Sequence, residues 1–82
     1  MITFFAILHK EDEDPKPGDR LKWNTFMNLG LAGKYCENCK TDYYDRIVEV
    51  GSEQAVVKEV RDVWERQEYS SHPFVSWRRR EA

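Results

Sequence analysis

The stretch from Asp42 to Gln67 constrains the fold more than any other, because it joins a β-branched run to a valine periodicity. Ile47-Val48-Glu49-Val50 reads as a strand, although Tyr43, Tyr44, Ile47 and Val48 also fit one helical face. Gly51 and Ser52 then mark a join. Ser52 is a good helix N-cap, and Glu53 sits where a helix dipole favours negative charge. Val56, Val57, Val60, Val63 and Trp64 follow; at 100° per residue they fall within an arc of about 120°. The spacing predicts an amphipathic helix whose valine side needs a sheet to lie on.

The rest of the chain must supply that sheet. Ile2 to His9 is almost continuously apolar as far as Leu8 and rich in β-branched and aromatic residues, which predicts a central strand buried on both faces. Pro15 and Pro17 make Lys10 to Gly18 a loop. Asp19 is a candidate N-cap, and Trp23, Phe26, Met27 and Leu31 recur at helical spacing, so a first helix is expected from about Arg20 to Leu29, ended by Gly30 or Gly33. Lys34 to Asp42 is expected to form a short edge strand and a turn around Asn38. Ser70-Ser71-His72-Pro73 is a break, and Phe74 to Trp77 alternates as a last strand.

The element order is therefore strand, helix, strand, strand, helix, strand. Its simplest right-handed closure is a small two-layer α+β sandwich: a ferredoxin-like βαββαβ fold with a four-stranded antiparallel sheet and two helices on one face. With 82 residues there is room for one domain, 1–82. The longest apolar run, Phe4 to Leu8, is far short of the roughly 20 residues that span a bilayer, and no signal-peptide pattern precedes it. A soluble, cytoplasmic protein without membrane partners is expected.

Charge narrows the function classes. The net charge of −2 argues against long-range attraction to a polyanion, yet the charges are segregated into Glu11-Asp12-Glu13-Asp14 and Arg78-Arg79-Arg80. The acidic run lacks the spacing and glycine of a calcium loop and reads as a mobile, solvated loop. No glycine-rich phosphate loop, nucleophile elbow or H-E-x-x-H pair is present, so no enzyme class and no cofactor is indicated.

Cys36 and Cys39 have C-x-x-C spacing, and His9 and His72 could complete a four-ligand metal set at one end of the expected sheet. A thiol-redox reading uses the same cysteines, with Cys36 near the N-terminus of a helix from Asp42. His72-Pro73 ahead of the last strand is similar to the proline that faces the active site in glutaredoxins, but an extra loop and helix separate the first strand from Cys36. Trp77 beside Arg78, Arg79 and Arg80 offers a nucleic-acid alternative.

The reading these residues favour is a non-catalytic, regulatory protein–protein interaction domain that docks on or occludes a protein partner. In the expected fold the second sheet face would be apolar and uncovered, which also suggests a homodimer. Its contact residues would be Phe5, Ile7, Tyr44, Trp77, Arg78, Arg79 and Arg80.

Overall fold

The structure, a computed structural model, describes residues 1–38, 44–67 and 76–81. Its elements are β1 (Ile2–His9), β2 (Asn24–Phe26), α1 (Leu29–Asn38), β3 (Tyr44–Glu53), β4 (Val56–Gln67) and β5 (Ser76–Arg79). The strands form one antiparallel sheet in the order β2-β1-β3-β4-β5. This overturns the ferredoxin-like expectation: among the described residues there is one helix, and the sheet has five strands.

The expected second helix is β4, and the register explains how a strand imitated a helical stripe. Val57 pairs with Ser52, Val60 with Val50 and Val63 with Val48, with register shifts between Gly51 and Ser52 and between Val48 and Val50. Each bulge inserts one residue, stretching the normal same-face spacing of two to three. Val57, Val60 and Val63 therefore reach one side of the sheet from a spacing that also suits a helix. Trp64, the next residue, packs on the opposite side.

The β3–β4 turn carries none of the residues that announce it. Gln54 and Ala55 have φ of 51° and 61°, both left-handed, as a two-residue type I′ hairpin requires. Asparagine and glycine tolerate this backbone and the residues present do not. Changing Gln54→Asn together with Ala55→Gly is expected to raise stability by about 1–2 kcal/mol. Thermal unfolding checks it, at about 4–8 °C per kcal/mol for a domain of this size; an unchanged midpoint would mean the turn is not strained.

The expected first helix also dissolves. Asp19 accepts from the Lys16 amide at 2.9 Å and closes a turn rather than capping a helix. Asn24–Phe26 instead pairs with Ile7–Phe5 of β1. The helix starts later, at Asn28, whose Oδ1 accepts the Leu31 N–H at 2.8 Å. Lys34 to Asn38, expected as an edge strand and turn, is helical. Gly30 and Gly33 lie inside α1 instead of ending it, and a Cβ at Gly33 would stand 3.4 Å from Trp77 Nε1.

Both faces of the sheet are covered where they are apolar. On one, Ala32 and Cys36 of α1 pack with Ile7 and Ile47, ringed by Phe5, Phe26, Leu29, Tyr44, Trp64 and Trp77. On the other, Ala6, Leu8, Val48, Val50, Val57 and Val63 form a valine-rich layer against which Leu21 and Trp23 pack. Those two residues belong to a strap that leaves β1 and reaches the outer edge of β4. There Gly18 N donates to Val57 O, Val57 N to Asp19 O and Leu21 N to Ala55 O, all at 2.8–2.9 Å.

Candidate functional site

The strap is held by an arginine that sequence reasoning passed over. Arg46, on β3, is 9% exposed. Its guanidinium donates to Asp14 at 2.6 Å, to Asp45 at 3.0 Å, and to the carbonyls of His9 and Asp12. Asp14 also accepts from Arg80 at 2.7 Å, so one carboxylate ties β3 and the end of β5 to the strap. Partial burial pushes the Asp14 carboxyl up, but hydrogen bonds from Arg80 and Arg46 outweigh it and hold the group below its ordinary value. Asp12 closes the turn after β1, accepting the His9 N–H through Oδ2 at 3.0 Å. Within the acidic run Asp12 and Asp14 are therefore anchors of a turn, while Glu11 and Glu13 face solvent.

Of the contact residues expected from sequence, Phe5, Ile7, Tyr44 and Trp77 come together on one sheet face, packed with Ala32 and Cys36 of α1. Ile7 is 2% exposed beneath α1, and Phe5 is half-buried with its ring 5.9 Å from that of Trp64. Tyr44 is half-buried between His9 and Tyr35, at ring distances of 4.6 and 6.0 Å. Trp77 lies against Gly33, with an indole N–H that is buried and finds no partner among the described residues. Arg78, Arg79 and Arg80 are all exposed, and Arg80 is engaged by Asp14 and Glu65. Trp77, the aromatic residue next to those arginines, packs against α1.

Cys36 is buried in the last turn of α1, the opposite end from the helix N-terminus that a nucleophilic thiolate needs. Cys39, His72 and Pro73 lie outside the described residues. Among the described residues no three potential ligands cluster to hold a metal. Beyond the reach of α1 its face of the sheet turns polar: Arg61 donates to Thr3 Oγ1 at 2.7 Å, to Glu49 at 3.3 Å and to Glu59. That part of the sheet surface is thus charged.

Among the described residues the exposed large apolar side chains fall in two places: Met1 and Ile2 at the start of β1, and a group on the outer side of α1 and just before it. Met27, Leu31 and Tyr35, spaced four apart, are 64%, 53% and 41% exposed. Residues four apart share a helix face, so Leu31 and Tyr35 form one line, extended by Met27. The sequence periodicity had placed Met27 and Leu31 on one helical stripe with Trp23 and Phe26. In the fold Trp23 and Phe26 go to opposite sheet faces.

No helix among the described residues is long and apolar enough to cross a membrane. No family model, no curated protein and no solved structure matches this chain.

Proposed function

We propose that the chain is a small, non-catalytic protein–protein interaction domain acting in the cytoplasm, and that its contact surface is the outer side of α1. The observation that carries this reading is the line Met27, Leu31 and Tyr35. Both apolar sheet faces are already filled from within the chain, by α1 on one side and the strap on the other. Met27 and Leu31 stand outside both layers, and Tyr35, whose ring meets Phe26 and Tyr44, still keeps much of its surface exposed beside them. Methionine and tyrosine are also the residue types that interfaces favour, one for its adaptable shape and the other for its large amphipathic ring.

A photo-reactive residue at position 31, introduced in the native host, is expected to give a defined set of protein adducts, with a second copy of the chain counting as a partner. The same residue at position 58, exposed on β4, is expected not to give them. Adduct patterns that are identical at the two positions, or absent at position 31, would refute the proposal. Leu31→Glu is expected to remove the contact while leaving the thermal midpoint nearly unchanged, as exposed substitutions usually do.

A further inference from the structure

At the end of the sheet where β1 hands over to the strap lies a groove of about 410 Å³, lined by Ile7, His9, Asp12, Lys22, Trp23, Asn24 and Tyr44. We infer that this groove is a binding site for a neutral planar heteroaromatic of the nucleobase type, preferring bases that carry an exocyclic amino group.

Its size falls within the range of about 300–1,000 Å³ usual for small-ligand sites. The wall is aromatic: His9 meets Tyr44 edge to face at 4.6 Å, and Trp23 lines the same groove. Flat ring surfaces of this kind stack a planar ligand without regard to its charge.

The rim decides the ligand's chemistry. Asp12 uses Oδ2 to accept the His9 amide, while Oδ1 has no bond to any described residue. The Asn24 side-chain amide, exposed at the first position of β2, has none either. Lys22 holds its ammonium 5.4 Å over the Trp23 ring, leaving its hydrogens to the groove and the solvent. One rim therefore presents a carboxylate acceptor, an amide that both donates and accepts, and an ammonium donor.

Three ligand classes fit this rim badly. A hydrocarbon ring would desolvate Asp12 and Asn24 without replacing their bonds to water. A phosphate or carboxylate would meet the Asp12 charge. A cation would meet Lys22. A nucleobase edge alternates donors and acceptors on a flat ring, and the matching contacts are known chemistry: an amide reads the N6/N7 edge of adenine, and a carboxylate accepts from N4 of cytosine. Uracil offers oxygens where those amino groups stand and would turn one toward Asp12.

The test is titration of the ¹⁵N-labelled protein with adenosine, cytidine and uridine, read as shifts of the backbone and side-chain amides. Adenosine and cytidine are expected to saturate with dissociation constants of about 5 mM or tighter, moving Asn24, His9 and Tyr44, with uridine at least about fivefold weaker. Asn24→Ala, at an exposed position, is expected to weaken adenosine about fivefold or more while leaving amides remote from the groove in place. A flat titration, equal affinity for uridine, or shifts centred on Arg78 and Arg79 with the groove unmoved would each overturn the assignment. None of these outcomes depends on the α1 surface, so this site and the proposed protein contact stand or fall separately.

Discussion

Replacing Arg46 by methionine is expected to lower stability by about 3 kcal/mol or more, the range for removing one partner of a buried charged network. The side chain is only 11% exposed, and its hydrogen bonds are made to groups that cannot all turn to water. Without it the carbonyls of His9 and Asp12 lose a charged donor, and Asp14 keeps only Arg80. Methionine fills much of the volume but satisfies none of them. Arg46→Lys is expected to recover little, because an ammonium cannot reproduce a planar fork that serves two carboxylates and two carbonyls at once.

Thermal unfolding should then fall by roughly 15 °C, from about 4–8 °C per kcal/mol in a domain of this size. Hydrogen exchange should show the strap, residues 10–23, losing protection first. A drop of only a degree or two would mean that the strap is held by Leu21 and Trp23 alone. The same network fixes the sign of the acid response. Asp14 is held below its unfolded value, so it contributes stability that is present above that value and lost as the pH falls through the folded one. Asp14→Asn is therefore expected to be less stable than the parent at neutral pH and to converge with it at strongly acidic pH.

Strands β1 and β3 were legible from sequence because each is dense in β-branched or aromatic residues and is buried enough to show it. Strand β4 was not, since two bulges spread Val57, Val60 and Val63 to a spacing that an amphipathic helix also produces. Only the β-branched content spoke against the helix, and propensity is a weak vote against periodicity. The helix itself was hidden by Gly30 and Gly33, which cost helix propensity and are read more readily as stops. Gly33 lies against the Trp77 indole, a contact from the far end of the chain that no local window contains.

The site was less legible than the fold. Arg46 lies two residues from Val48 in an alternating strand, so parity assigns it to a core face, where an arginine looks out of place until the strap supplies its acceptors. The signal that could have found it was the pairing of an acidic run with Pro15 and Pro17: a turn with few backbone donors of its own, needing a fixed charge to hold it. Met27 and Leu31 were noticed, but period alone cannot say which side of a helix faces inward, and the answer came from Ala32, Gly33 and Cys36.

Ile7→Asp separates the observed fold from an open-faced sheet most sharply. Were the face of Phe5 and Ile7 bare and used for self-association, the substitution would yield a folded monomer. In the structure Ile7 is 2% exposed and packs with Ala32, Cys36 and Ile47. Removing an aliphatic side chain there costs about 2–5 kcal/mol before any charge is considered. The carboxylate adds a desolvation cost: Arg46 and Arg61 are committed elsewhere, and Lys22, which lines the groove beside Ile7, holds its ammonium over the Trp23 ring. Together these reach the whole stability of a small domain, about 5–15 kcal/mol. The variant is expected to be unfolded at neutral pH by far-ultraviolet circular dichroism. Ile2→Asp, at the 55% exposed start of the same strand, is expected to stay within about 0.5 kcal/mol of the parent. A folded Ile7→Asp protein would mean that α1 does not cover this face, and the interaction surface would then return from the helix to the sheet.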